Sequence, residues 1–183
     1  KALFDEAHKI MKEVAQNEQY IVDDIVSKAQ VITATLVGSN HYTIRNLEYH
    51  TIIIDEAGQA LEPACWIPIL KAKKVILAGD HCQLSPTIKS GQAAKMGLEK
   101  TLLEKCVENH PAAVVLLQTQ YRMHQNIMRF SSEVFYDAKL IAHPSVAKHQ
   151  IHQEIKPVLF IDTAGCGFEE KLEGTSSTNP EEA

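Results

Sequence analysis

Apolar residues fall at helical spacing from the start of the chain. Leu3, Phe4, Ala7, Ile10, Met11 and Val14 would share one face of an amphipathic helix. A polar stretch at 16–19 predicts a break, after which Ile21, Val22, Ile25 and Val26 resume the helical pattern. Five short β-branched or apolar runs follow, at 31–35, 51–55, 74–78, 113–117 and 158–162. Each is nearly continuous in hydrophobicity, which is the pattern of strands covered on both faces of a parallel sheet. Helical patterns lie between them at 61–70, 98–107 and 125–136. Strands alternating with helices predict βαβ units and an open α/β sheet. The His110 and Pro111 pair marks the expected boundary between two α/β units, 1–111 and 112–183. Strands 51–55 and 74–78 are expected to run parallel in one sheet, and 113–118 and 158–162 to belong to another.

The last residues read E-G-T-S-S-T-N-P-E-E-A. Thr178 or Asn179 would cap a helix, Pro180 suits its first turn, and Glu181 and Glu182 complement its dipole. The expectation is a chain that stops where a helix begins. With an uncapped start and no initiator Met, the 183 residues read as an excerpt of a larger protein, incomplete at both ends.

Composition narrows the class. Hydrophobic residues make up 45% and charged residues 22%, as in globular domains. No apolar run approaches the roughly 18–20 residues of a membrane span, and the first residues carry no signal-peptide pattern. The net charge of −5 argues mildly against a free-standing nucleic-acid binder, since phosphate contacts supply most of such affinity. Cys65, Cys82, Cys106 and Cys166 form no C-x-x-C pair, so neither a zinc site nor a redox motif is readable. Scattered single cysteines fit a reducing compartment, cytoplasmic or nuclear.

In open parallel sheets, ligands bind beyond the carboxyl ends of the strands. Run 51–54 ends in Asp55 and Glu56; run 74–78 ends in Gly79 and Asp80, with Gln83 close by. Run 113–117 is followed by Gln118, Gln120, Tyr121 and Arg122, and the first run carries Thr33 and Thr35. A carboxylate pair of this kind can hold Mg²⁺ through its water shell and polarise the water that attacks a terminal phosphate. An isolated apolar-D-E string fits two solvated acids in a turn equally well. The neighbouring G-D-H-C-Q-L string shifts the reading, because a Gln amide both donates and accepts and can sense phosphate and water together. Arg122 can neutralise charge on a transferred phosphoryl group, and Tyr121 offers a flat face to a base.

Here a family resemblance becomes specific. IIIDEAGQALEPACW resembles the Walker B motif of superfamily 1 helicases, GDHCQLSPT their motif III and QYRMH their motif IV. TATLVGS, WIPILKAKKVILAGD, AHPSVAKH and FIDTAGCG resemble the immunoglobulin-mu-binding protein 2 type, on the branch of the nonsense-mediated-decay helicase. The resemblance runs from about Val31 to the end, where N-P-E-E-A is similar to an N-x-x-E-A stretch of the second motor domain. It implies RecA-like P-loop NTPase folds, with parallel sheets flanked by helices. It implies ATP and Mg²⁺ as cofactors, and 5′-to-3′ unwinding of RNA or DNA by movement along a single strand. Asp55 would hold Mg²⁺ through water, Glu56 would be the catalytic base and Gln83 would sense the γ-phosphate. Arg122 would be the arginine finger, and Tyr121 would pack near the adenine. Thr33, Thr35 and Thr87 would lie towards the nucleic-acid strand, while hydroxyls bonding local backbone are an equal reading of these threonines. Asn179 and Glu182 would belong to the nucleotide side of the second domain.

Three positions depart from the family pattern: Cys82 for Lys, Ser85 for Pro and Gly58 for Ala. The first removes a positive charge beside motif III. No G-x-x-x-x-G-K-[ST] string occurs in the 183 residues, so they carry the cleaving and sensing half of a site without its phosphate cradle. These residues by themselves are therefore expected to be inactive. The other class left open is a non-catalytic binding or scaffold module that kept the fold without the phosphate loop.

Overall fold

The computed structural model describes residues 2–152 and 155–182. The chain divides into two compact units, Lys1–Val114 and Val115–Ala183.

The first unit opens with α1, Ala2–Lys28, a single uninterrupted helix. The polar stretch at 16–19 does not break it. Residues 2–28 contain neither Gly nor Pro, Gln and Glu are good helix formers, and the single Asn17 costs no more than about 0.7 kcal/mol. Hydrogen bonds at i,i+4, Gln19 to Asp23 at 2.7 Å and Lys28 to Asp24 at 2.8 Å, support its last turns.

β1, Tyr49–Ile54, and β2, Ala72–Leu77, form a two-stranded parallel sheet with Tyr49 opposite Ala72 and Ile54 opposite Leu77. The connection between them carries α2, Glu62–Ile69, as a parallel pair requires. α3, Leu102–Asn109, begins at a capping box. The Thr101 hydroxyl accepts from the Glu104 amide at 3.1 Å, and the Thr101 amide donates to the Glu104 carboxylate at 3.4 Å. The helical pattern expected from 98 therefore starts at 102, after Gly97 at φ +95° has ended the preceding turn. The core is small: Ile54, Ala57 and Cys65 are buried, with Leu36, Ile52, Ile69, Leu77, Leu102 and Leu103 packed around them. Lys105 of α3 pairs with Glu62 of α2 beside it.

In the second unit, β3, Thr119–Gln120, pairs in parallel with β4, Ile141–Ala142, on either side of α4, Gln125–Phe135. Ser132 of α4 turns the chain back into β4. Its carbonyl accepts from Tyr136 and Ala138, and its hydroxyl accepts from Leu140. β5, Lys171–Glu173, and β6, Ser176–Thr178, make an antiparallel hairpin.

The fold is α/β with parallel sheets and flanking helices, as the alternation of apolar runs predicts, and 51–54 and 74–77 are parallel neighbours. Three expected strands are not realised. Runs 31–35, 113–117 and 158–162 enter no strand ladder among the described residues. Apolar content predicts cover on both faces, but a strand also needs a neighbouring backbone to bond. Val31, Val115, Leu117 and Phe160 are each at least 80% exposed, so neither condition is met. Where a helix is expected to begin at Thr178 or Asn179, the described residues reach a single turn. Thr178 closes β6, its hydroxyl bonding the Lys171 carbonyl, and 179–182 form one turn with the Glu182 amide on the Asn179 carbonyl at 3.2 Å.

Candidate nucleotide-hydrolysis site

Two loops leave the carboxyl ends of β1 and β2 side by side. The parallel ladder continues past both strands: the Ala78 amide donates to the Ile54 carbonyl at 2.9 Å, and the Ala57 amide to the Ala78 carbonyl at 2.8 Å. The two backbones then approach closer than side chains permit. A Cβ on Gly79 would stand 2.7 Å from the Ala57 nitrogen, and one on Gly58 would stand 2.3 Å from the Asp80 carbonyl oxygen. Glycine at 58, where the family pattern has alanine, thus accompanies a very close meeting of the loops.

The approach brings the Asp55–Glu56 loop against the Asp80–Gln83 loop. Asp55 and Glu56 are both exposed, and the Glu56 amide donates to Asp55 Oδ1 at 3.1 Å. Glu56 has left-handed backbone angles, φ 51° and ψ 38°, and starts the short helical turn Ala57–Gln59. A non-glycine residue rarely holds this conformation, and such strain concentrates at functional sites. Asp80 organises the second loop: Oδ1 accepts from the Cys82 amide at 3.0 Å and Oδ2 from Gln83 Nε2 at 2.8 Å. Gln83 is thereby held through its amide nitrogen.

Cys82 lies 3.7 Å, Sγ to Nε2, from His81. Burial pushes its thiol up, and the Asp80 carboxylate adds to the effect, which disfavours the thiolate; a cysteine here supplies no positive charge of the kind a lysine would. Asp80, His81 and Cys82 bring ligand-type atoms within 4.8 Å of one another, a grouping that no C-x-x-C spacing announces.

The remaining candidates are dispersed. Thr33, Thr35 and Thr87 are exposed, and the Thr35 hydroxyl accepts from the Gly38 amide at 3.0 Å. In the second unit, Gln120 clamps the turn that carries Tyr121 and Arg122. Gln120 Oε1 accepts from the Arg122 amide at 2.8 Å and the Met123 amide at 2.9 Å, and its Nε2 donates to the Met123 carbonyl. Gln120 to Met123 line an open concavity. Tyr121 stacks on His143 with ring centroids 4.4 Å apart. Glu182 accepts from the Thr163 hydroxyl at 2.7 Å, and Asn179 Oδ1 is buried without a hydrogen-bond partner among the described residues. Sequence reasoning assigned no role to Asp80 or His143. For Asp80 the signal was its place three residues before Gln83.

An exposed carboxylate at a strand end, with one oxygen engaged by an amide, suits a magnesium ion, which keeps most of its waters and takes one or two carboxylates. Asp55 fits that description.

Comparison with known proteins places the chain among relatives. Two family models, each described as an AAA domain, match residues 1–91 and 98–183. DNA-binding protein SMUBP-2 of Rattus norvegicus is 43% identical over 97% of this chain and 20% of its own length. An uncharacterized ATP-dependent helicase of Methanocaldococcus jannaschii is 35% identical over 96% of this chain and 28% of its own. The Regulator of nonsense transcripts 1 homolog of Arabidopsis thaliana is 42% identical over 64% of this chain and 9% of its own. The chain thus spans about one fifth of the length of its SMUBP-2 relative.

Parallel strands with acidic loops at their carboxyl ends, matched by two AAA domains, define a P-loop NTPase fold of the RecA-like kind. Within that class the chain belongs to the superfamily 1 helicases and covers part of their motor region. No helix among the described residues is long and apolar enough to cross a membrane.

Proposed function

We propose that these residues form the cleaving and sensing part of an ATP-dependent helicase or translocase that moves 5′ to 3′ on single-stranded RNA or DNA, in the cytoplasm or nucleus. The observation that carries the reading is the glycine-mediated meeting of two strand-end loops, which sets Asp55 and Glu56 beside the loop of Asp80 and Gln83. Relatives named as ATP-dependent helicase and DNA-binding protein support it.

Glu56 accepts the proton of the attacking water, and its neighbour Asp55 holds the magnesium hydration shell. Gln83, fixed by Asp80, presents its amide oxygen to water and phosphate. Arg122 acts as the arginine finger, Tyr121 packs near the adenine and Glu182 lies on the nucleotide side of the second unit. Thr33, Thr35 and Thr87 face the strand. Magnesium, bound with ATP, supplies neutralisation of the phosphate charge.

The test is nucleic-acid-stimulated ATP hydrolysis by the full-length protein and its Glu56→Gln variant. The amide keeps the size of Glu but cannot take a proton, so the rate should fall by about 10²–10⁴-fold, with nucleotide binding retained. Asp55→Asn should weaken nucleotide affinity as well, through the metal. A Glu56→Gln protein that hydrolyses ATP at the wild-type rate would remove Glu56 as the base, whereas a wild-type protein without ATP hydrolysis would favour the non-catalytic scaffold.

A further inference from the structure

Tyr121 is 64% exposed, so one face of its ring is open, while the other lies on the His143 imidazole at 4.4 Å and 29°. An exposed tyrosine is ordinarily free to change rotamer, and a ligand that stacks on it must pay for that ordering. Here the ordering precedes the ligand. The His143 amide donates to the Gln120 carbonyl at 2.9 Å, continuing the β3–β4 ladder. The His143 ring is held in turn: Nδ1 accepts from the Ser145 amide at 3.2 Å and lies 2.8 Å from the Ser145 hydroxyl. Accepting at Nδ1 places the proton of the neutral ring on Nε2. The Gln120 clamp fixes the backbone on the Tyr121 side. The His143 ring and the backbone beside Tyr121 are thus set by bonds independent of the stack, and the stack on the imidazole orders the phenol ring.

We infer that His143 is a positioning residue for nucleotide binding: it backs the Tyr121 ring and holds its open face ready for a purine base. This rests on the reading of Tyr121 as the adenine partner. His143 touches no substrate in this arrangement; it acts through Tyr121. Without the imidazole the phenol ring regains its rotamers, and the base must order it on binding. The phosphates are held elsewhere and should not sense the change.

The experiment measures steady-state ATP hydrolysis by the full-length protein, with inorganic tripolyphosphate as a base-free competitor. Variants are His143→Ala, His143→Phe, Tyr121→Ala and the double substitution with alanine. His143→Ala should raise the KM for ATP about threefold to tenfold, the range of an aromatic pair or an immobilised side chain. The change in kcat should be much smaller, and the inhibition constant of tripolyphosphate should stay put. His143→Phe keeps a ring behind Tyr121 and should restore most of the affinity. The double variant should be little worse than Tyr121→Ala, because both remove one stack. If His143→Ala weakens ATP and tripolyphosphate together, the residue is merely structural and the inference is overturned. It is overturned as well if His143→Ala leaves the KM unchanged while Tyr121→Ala raises it, and the adenine reading of Tyr121 then survives. An unchanged KM in Tyr121→Ala removes that reading and this inference together.

Discussion

Gly79 and Ala57 meet backbone to backbone: a Cβ added at Gly79 would stand 2.7 Å from the Ala57 nitrogen and 2.8 Å from that of Gly58. Neither neighbour is the flexible end of a side chain, so neither can swing aside. Gly79→Ala must part the two loops or bend β2, and overpacking of this kind costs about 1–3 kcal/mol. The variant should melt at a lower temperature, and its ATPase should fall because Asp55 and Gln83 lose their common frame. An unchanged melting temperature would show that the loops separate freely and that their closeness has no structural consequence.

The bond from Gln83 Nε2 to Asp80 Oδ2 at 2.8 Å makes a second prediction. Asp80→Ala removes the acceptor that fixes the Gln83 amide and also the one that holds the Cys82 amide. Bonds to charged groups contribute about 1.5–3 kcal/mol, so kcat should drop on the order of tenfold or more. Gln83→Ala should lose a similar factor. If Asp80 works through Gln83, the double variant loses little beyond either single one. Fully additive losses in the ATPase assay would mean that Asp80 acts on its own.

How far the sequence disclosed this arrangement depends on the kind of signal. The helices at α2, α3 and α4 were legible from 3.6-residue periodicity, and the β1–β2 pair from two apolar runs bracketing a helix. The runs at 113–117 and 158–162 carry the same apolar signal, yet they form no ladder here, because composition does not say which backbone lies alongside. The hairpin of β5 and β6 was illegible for the opposite reason. K-L-E and S-S-T have no alternation of apolar residues, and the turn depends on Gly174 at φ +66°. At the site, Asp55, Glu56 and Gln83 stood out by residue type and by family resemblance. The contact that joins their loops did not, since a glycine in a sequence does not name the atom it approaches.

The ion pair of Glu62 and Lys105 gives a pH dependence. The hydrogen bond from Lys105 lowers the Glu62 carboxyl below its ordinary value, against a raising effect of burial, and Trp66 Nε1 adds a weaker bond. A carboxyl depressed in the folded state contributes stability that is full above its unfolded pKa of about 4.3. That contribution fades as the pH falls through the lower folded value. Lys105→Met should therefore lower the melting temperature at pH 7, and the gap from wild type should narrow in strong acid. A gap that stays constant from neutral pH down to about pH 2, below the usual carboxyl range, would assign the loss to the packing of the lysine stem between α2 and α3.

Glu56 combines a proton acceptor with a left-handed backbone, and the two properties can be separated by substitution. Holding an L-residue at φ 51° costs about 1–2 kcal/mol. Glycine escapes that cost but loses roughly 0.5–1 kcal/mol of backbone entropy on folding. Glu56→Gly should therefore leave the protein as stable as wild type or more stable, by up to about 1.5 kcal/mol. Its ATPase should be lost. Glu56→Gln should lose the ATPase equally but show no gain in stability, because a γ-carboxamide keeps the Cβ and with it the strain. Thermal melts of the three proteins, set beside their hydrolysis rates, decide the matter. If Glu56→Gly melts well below wild type, the left-handed turn is held by the glutamate side chain rather than imposed upon it by the ladder from Ala57 to Ala78. Strain at the proposed catalytic base would then be no part of how this loop is built.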